Sequence, residues 1–171
     1  MRHKSHNNAP DKSFWHAERS IVTTQINTHP PYFLAAGAGK PMAWFAASIN
    51  LKASCGEVGL VEVLISPGDE PPLHVHKNED EWLYVLDGEV TFHVGGENHP
   101  AKAGGFVSFP RGIPHTFTIE SPAARLLVMN TPGGFERMFE LAPKTIEDAV
   151  HALNAYGIEV VGPHPRQAAA A

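Results

Sequence analysis

Short apolar runs, separated by glycine, proline and asparagine, follow one another along most of this chain. The alternation is clearest in Glu89–Val94, where Thr91 and His93 fall on one face of an extended segment and Phe92 and Val94 on the other. Further strands are predicted at residues 21–26, 32–34, 42–49, 58–66, 103–109, 116–119 and 125–130. Short strands at regular spacing, with turn residues between them, are typical of an antiparallel sandwich or barrel. The pattern therefore predicts an all-β fold.

Glycines and small residues indicate the early connections. Residues 32–34 and 42–49 are predicted to pair as a hairpin around a glycine turn at 37–40. Residues 53–56 are predicted to form a loop before the strand at 58–66. The chain should thus enter the sheet through a hairpin and one further turn.

The periodicity changes near Thr131. A Pro-Gly-Gly run at 132–134 ends the strand pattern, and Phe135–Leu141 is predicted to be a short helix. Thr145 and Asp148 have the spacing of a capping box, at the start of a second helix that ends at Gly157. Short C-terminal helices are therefore expected on the outside of the β-fold.

These patterns divide the chain into four parts. Residues 1–18 are predicted to be a polar N-terminal arm, 19–131 a β-barrel, 132–160 a helical segment packed on the barrel, and 161–171 a flexible tail. A chain of 171 residues fits one domain of ordinary size. We expect one β-domain with small additions at each end.

Charge and composition exclude several classes of protein. The formal net charge is −5 with histidines neutral, and Lys and Arg are scattered, which argues against nucleic acid as a partner. Cys55 is the only cysteine, so no internal disulfide can form and the cytoplasm is the expected location. The chain begins with polar residues, and no run approaches the length of a spanning helix, so neither a signal peptide nor a membrane segment is expected.

Candidate chemistry is concentrated in the stretch GDEPPLHVHKNEDEWLYVLDG at residues 68–88. His74 and His76 are two residues apart, so in a strand both side chains project from the same face. Glu81 can join them if the polar run at 77–80 folds the chain back as a hairpin. A pair of imidazoles and a carboxylate would then share one place.

A third histidine, His115, follows a turn bounded by prolines at 110 and 114 and heads the predicted strand 116–119. Together with the first stretch, it gives three imidazoles and one carboxylate. Such a set is suitable for a divalent transition metal.

These residues resemble the two sequence motifs of the cupin superfamily. The first motif is glycine, five residues, His-x-His, three or four residues, Glu, six residues and glycine; the matching positions are Gly68, His74, His76, Glu81 and Gly88. The second is glycine, five residues, Pro-x-Gly, two residues, His, three residues and Asn; the matching positions are Gly104, Pro110, Gly112 and His115. Its last position holds Ile119, which leaves the metal ligands intact but cannot supply the Asn side chain.

The resemblance implies a double-stranded β-helix, or jelly-roll barrel, that holds one divalent transition metal (Fe, Mn, Ni, Co, Cu or Zn). The implied metal ligands are His74, His76, Glu81 and His115. It also implies a homodimer formed through an N-terminal strand.

The longer stretches HVHKNEDEWLYVLDGEV, FPRGIPHTF and LLVMNTPGGFE resemble the quercetin-dioxygenase-like group of cupins. This likeness implies oxidative cleavage of a small phenolic or enolizable substrate by dioxygen. Glu81 would be either a fixed ligand or, off the metal, the catalytic base that takes the hydroxyl proton of the substrate. Because a fold does not determine a reaction, a non-catalytic small-molecule binding or sensor module and a metal-dependent isomerase or decarboxylase stay open.

Several neighbouring side chains have two interpretations. His93 faces solvent or donates to substrate, and Arg111 lies in a surface turn or binds an anionic group. Glu79 and Asp80 fit a solvated turn, although Glu79 could neighbour the metal. The residues expected to line an apolar cavity are Leu83, Val85, Phe109 and Phe117.

Overall fold

The structure, a computed structural model, describes residues 30–168. The predicted arm at 1–18 and the predicted strand at 21–26 lie outside these residues. The part from Tyr32 onward forms one compact unit.

Antiparallel strands dominate the described residues. They are β1 (Lys40–Trp44), β2 (Ala47–Cys55), β3 (Val58–Ile65), β4 (Leu73–His76), β5 (Asp80–Asp87), β6 (Glu89–Val94), β7 (Glu97–Lys102), β8 (Phe106–Phe109), β9 (His115–Ile119), β10 (Ala124–Thr131) and β11 (Ile158–Gly162). One sheet has six strands in the order β1-β2-β3-β10-β5-β8, and the other has five in the order β11-β4-β9-β6-β7. The predicted all-β jelly roll is confirmed.

The hydrophobic core lies between the two sheets. Phe92 and Ile119 come from the five-stranded sheet, and Phe109, Leu126 and Val85 from the six-stranded sheet; each is at most 1% exposed. The rings of Phe92 and Phe109 meet edge to face, with centroids 6.0 Å apart. Alternation along the strands therefore places the apolar positions inside, as period-two patterning requires.

The helices follow the last long strand. Residues Phe135–Leu141 form a 3-10 helix, and α1 spans Ile146–Ala155. The Thr145 side chain accepts from the Asp148 backbone and the Asp148 side chain accepts from the Thr145 backbone, so the predicted capping box is confirmed. No helix within residues 30–168 is both long and apolar enough to cross a membrane.

Several early and late boundaries differ from the sequence predictions. Residues 32–34 form no strand; β1 instead pairs with β2. The predicted loop at 53–56 is shorter, because β2 continues to Cys55. The strand predicted from residue 103 begins at Phe106, since Gly104 adopts a φ of 93° in the turn before it.

Two edge strands were missed. The sequence of β7, ENHPAK, lacks an apolar alternation because it is an exposed edge strand, where proline is tolerated. The other, β11, follows the turn at Gly157 after α1 and pairs with β4 at the opposite edge. The short helix α2 (Pro165–Ala168) and the buried His164 lie in the stretch that the sequence predicts to be a flexible tail.

The connection at residues 77–80 is not the predicted hairpin. Strand β4 pairs with β9 and β11, whereas β5 pairs with β10 and β8, so the connection passes from one sheet to the other. The chain pattern could not distinguish these cases, because a tight turn and a crossover need the same polar residues. The crossover is what sets a carboxylate opposite the imidazoles.

Candidate metal centre

Four buried side chains converge between the sheets. The residues are His74, His76, Glu81 and His115, and each offers one ligand atom within 4.8 Å of the others. All four are at most 7% exposed. The structure thus brings together the complete set that the sequence predicts.

Strand pairing explains how the set forms. His74 on β4 lies directly opposite His115 on β9, and His76 projects from the same face of β4. Glu81 begins the inward-facing positions of β5, between Phe109 on β8 and Asn130 on β10. One sheet supplies the imidazoles and the other supplies the carboxylate.

Backbone carbonyls orient two of the imidazoles. The Nδ1 atom of His74 is 2.8 Å from the carbonyl oxygen of Pro72, and that of His115 is 2.8 Å from the carbonyl oxygen of Ile113. Because a carbonyl only accepts, each Nδ1 carries a proton, and in the neutral ring each Nε2 then carries a free lone pair. This is the tautomer that a metal ligand with an Nε2 donor requires.

Unsatisfied nitrogen atoms provide a test of whether these residues fit a cation. His76 has no hydrogen bond on either ring nitrogen, and Nε2 of His115 has none, among the residues described. That Nε2 lies 3.4 Å from Oε2 of Glu81. Buried polar atoms without partners are rare in native proteins. One cation would satisfy one ring nitrogen of His76, Nε2 of His115 and the carboxylate together, so the cluster is compatible with a single metal ion.

The electrostatics keep the carboxylate charged. Burial alone would raise the pKa of Glu81, but the positive charge of a protonated His76 and the neighbouring His115 outweigh it and lower that pKa to about 2. Burial lowers the pKa of His74 to about 4, and the neighbouring His115 adds to this effect. For His76, burial opposes the charged form, yet the carboxylates of Glu81 and Glu79 prevail and raise its pKa.

Sequence reasoning missed two residues that touch the cluster. The Asn130 side-chain amide donates to Oε1 of Glu81 over 3.4 Å, and Asn130 is 1% exposed. The Phe135 ring packs edge-on against His76, with centroids 5.0 Å apart. An Asn at the end of the apolar run RLLVMN was the available signal for the first. No local pattern marks the second, because Phe135 reaches the site from the helix that follows the sheet.

Ile119, where the motif expects Asn, is a core residue with no exposure. Its backbone N–H donates to Oε1 of Glu70 over 2.9 Å. The position therefore packs the barrel and fastens the loop before β4.

The cluster opens on a largely apolar cavity of about 610 Å³, and His74, His76 and Glu81 are among its lining residues. Its aromatic lining residues are Trp44, Phe45, Phe117, Phe135 and Phe139. Of the residues expected to line it, Leu83 and Phe117 do so, whereas Val85 and Phe109 pack into the core instead. Phe109 stacks on the His115 ring, with centroids 4.3 Å apart.

The other side chains with two interpretations are placed as follows. His93 does not line the cavity; its ring nitrogens contact Asn98 at 2.7 Å and Thr118 at 2.8 Å. Arg111 binds the carboxylate of Asp80 through two side-chain nitrogens, in an exposed turn. Glu79 is buried, so the prediction of a solvated turn is wrong for this residue.

Sequence and fold comparisons with known proteins identify a domain model, two distant relatives and a shared fold. A sequence model described as Cupin domain matches residues 61–130. Quercetin 2,3-dioxygenase of Bacillus subtilis (strain 168) is 28% identical over 125 residues, which cover 71% of this chain and 37% of that protein. Quercetin 2,3-dioxygenase of Aspergillus japonicus is 29% identical over 83 residues, covering 46% and 24%.

A solved RmlC-like cupin from Shewanella frigidimarina superposes with a TM-score of 0.55 and 18% identity, over 61% of this chain and 93% of that one. A Cupin domain is thus matched over residues 61–130, and the chain is distantly similar to quercetin 2,3-dioxygenases. It spans between about a quarter and somewhat more than a third of the length of these two relatives.

Proposed function

We propose that this chain is a metal-dependent oxidoreductase, a dioxygenase that acts on a small phenolic or enolizable substrate. The observation that carries the proposal is the buried cluster of three imidazoles and one carboxylate at the wall of an apolar cavity. The distant similarity to quercetin 2,3-dioxygenases supports the reaction class. Dioxygen is the proposed second substrate.

The proposed metal ligands are His74, His76, Glu81 and His115, and the proposed ion is one of divalent Fe, Mn, Ni, Co, Cu or Zn. When bound, such an ion would supply Lewis acidity that lowers the pKa of a substrate hydroxyl. Burial of all four side chains supports a single shared ion, because buried charges and polar atoms need partners.

Glu81 is better suited to be a fixed ligand than a base. In the metal-free site its imidazole neighbours lower its pKa to about 2, which keeps it ionised, the form that a ligand requires. The Asn130 amide holds one of its oxygens at 3.4 Å, which resists movement away from the cluster. In this proposal the carboxylate stays in place as a ligand.

The charge of the cavity wall favours a neutral substrate. Asp69, Glu70 and Glu81 line it, and its described lining residues include neither Lys nor Arg. An anionic substrate such as a sugar phosphate would lack a cationic partner there other than the ion. The aromatic and aliphatic wall instead matches a flat, apolar ring system.

The experiment has two parts. Elemental analysis of untagged protein identifies the native ion, and oxygen uptake is then measured with flavonols, catechols and β-diketones. We expect about one ion per chain and oxygen consumption with at least one panel class. His76→Ala should lose both together. An active protein without metal, or a full metal complement without oxygen uptake on any substrate class, contradicts the dioxygenase proposal.

A binding or sensor module is the second candidate, since the cavity is large enough to bind a small molecule without chemistry. Saturable binding of a panel compound without turnover under any of the six metals would favour it.

Self-association also belongs to the proposal. Leu64, Tyr84 and Phe106 on the six-stranded sheet are 51%, 43% and 60% exposed, and such apolar exposure supports a contact between copies. Light scattering tests it; a monomeric mass across concentrations would contradict it. A cytoplasmic location and the lack of a nucleic-acid partner stay predictions.

A further inference from the structure

We propose that Glu79 is a positioning residue that accepts the Nδ1 proton of His76 and thereby leaves Nε2 of that imidazole for the ion. Oε2 of Glu79 lies 3.7 Å from Nδ1 of His76, slightly beyond hydrogen-bonding distance. This inference rests on the proposed metal site, because the role of Glu79 is to position a ligand of the ion. The arrangement of Glu79 and His76 itself is observed without an ion.

The contrast with the other two imidazoles carries the argument. In His74 and His115, Nδ1–H donates to the carbonyl oxygen of the residue two positions earlier, over 2.8 Å. His76 has no such carbonyl contact, and its backbone carbonyl is taken up by the N–H of Gly112 at 2.8 Å. Without a partner at Nδ1, either ring nitrogen could carry the proton. Only the Nδ1–H tautomer leaves the lone pair of Nε2 available to an ion.

Among the described residues, His76 is the one ion-pair partner of the Glu79 carboxylate. Glu79 is 7% exposed, and its Oε2 makes no hydrogen bond there. The two cations of the same region are paired elsewhere: Lys77 with Glu159 at 2.9 Å, and Arg111 with Asp80 at 2.9 Å. A buried carboxylate is costly unless paired, and His76 is the pairing that the geometry provides.

The far side of Glu79 is polar. It lines a second cavity of about 510 Å³, together with Ser54, Asn78, Glu136 and Tyr156. His76 lines the apolar cavity instead. The pair thus lies between an apolar and a polar cavity, and the carboxylate can orient the imidazole from the polar side.

The first test needs no substitution. Metal-free protein labelled with 15N-histidine is studied by NMR at a pH high enough that His76 is neutral, and the protonated ring nitrogen is assigned from one-bond and long-range proton–nitrogen couplings. We expect the Nδ1–H tautomer at His76. The Nε2–H tautomer in the wild-type protein overturns the proposal, whatever the protein does with metals.

The second test measures zinc affinity by competition with a chromogenic chelator. Glu79→Ala should bind zinc roughly 10–100-fold more weakly, the usual effect of losing the partner of a metal-ligating histidine. Glu79→Gln should lose less, because its amide oxygen still accepts the Nδ1 proton. Asp80→Asn is the matched control: it removes a neighbouring carboxylate that binds Arg111, and its affinity should change by at most about fivefold, as for an exposed ion pair.

Wild-type zinc affinity in Glu79→Ala, or an equal loss in Asp80→Asn, contradicts a positioning role. A Glu79→Ala protein that binds zinc more weakly but retains the Nδ1–H tautomer at His76 contradicts the positioning role as well. If the wild-type protein binds no ion, the metal proposal fails, and the tautomer measurement alone decides the inference. The two failures are therefore distinguishable.

Discussion

The two sheets contribute to the candidate metal centre in different ways. The five-stranded sheet supplies the imidazoles, and His74 and His115 are oriented by carbonyls two residues away along the chain. The six-stranded sheet supplies Glu81, whose contacts with His115 and Asn130 are both 3.4 Å long and come from distant parts of the sequence. The imidazole side is set locally, whereas the carboxylate side depends on tertiary packing and on charge.

The comparison indicates which side of the centre should keep its geometry when residues elsewhere are substituted. An imidazole held by its own chain segment keeps its tautomer when other parts change. A carboxylate held by distant partners is sensitive to each of them, and to the charge of the neighbouring imidazoles. Substitutions on the two sides should therefore differ in kind as well as in size.

The largest effect is expected on the imidazole side. His115→Ala removes a proposed ligand that the turn before its strand orients, and zinc affinity should fall by more than about 100-fold, since even outer partners of ligands are worth roughly 10–100-fold. Competition with a chelator measures it. His99→Ala on the exposed edge strand β7 is the control and should bind zinc like the wild type. Unchanged affinity in His115→Ala would remove this histidine from the ligand set.

Glu81→Gln should cost about 100-fold in zinc affinity, because the amide keeps the shape but loses the charge. Circular dichroism should show an intact fold. Asp87→Asn, at the exposed end of the same strand, is the matched control: it removes one negative charge and should leave zinc affinity nearly unchanged. A Glu81→Gln protein with wild-type affinity would mean that the carboxylate side contributes no ligand.

Asn130→Ala tests how far the carboxylate side depends on its hydrogen-bond partner. It removes the amide that donates to Glu81 and leaves a buried oxygen with one partner fewer, so zinc affinity should fall roughly tenfold. Unfolding by urea, measured with chelator present, should show a loss of about 1–3 kcal/mol. If stability falls while affinity does not, Asn130 packs the core without holding the ligand.

The smallest effect concerns the loop before β4. Burial would raise the pKa of Glu70, but the N–H groups of Ile119 and Gly68 outweigh it and hold that pKa below its ordinary value of 4.5. A lowered carboxyl pKa contributes stability that is present above the unfolded pKa and is lost as pH falls through the folded one. The stability gap between wild type and Glu70→Gln should therefore shrink towards acid. Urea unfolding of chelated protein at several pH values measures it, and a pH-independent gap would contradict it.

Local patterns predicted the imidazole side well. The His-x-His spacing sets two side chains on one face of a strand, and the residues around His115 form a turn followed by a strand. The capping box at Thr145 was equally local. These features depend on a few neighbouring residues, which is why the sequence carries them.

Features that depend on distant residues were harder to predict. The run at 77–80 was interpreted as a hairpin because turn composition does not reveal which sheet the next strand joins. Strand β7 lacks alternation, and β11 is short, so both edges were missed. The contacts of Asn130 and Phe135 with the site arise only when β10 and the 3-10 helix pack against it.

The central claim is that side chains from both sheets share one buried ion. A crystal of the protein loaded with zinc, measured at wavelengths on either side of the zinc absorption edge, tests this directly. We predict one anomalous peak, at about 2.0–2.2 Å from a nitrogen of each of His74, His76 and His115 and from an oxygen of Glu81. A peak coordinated by exposed histidines instead, or no peak between the sheets at full zinc loading, would contradict the account.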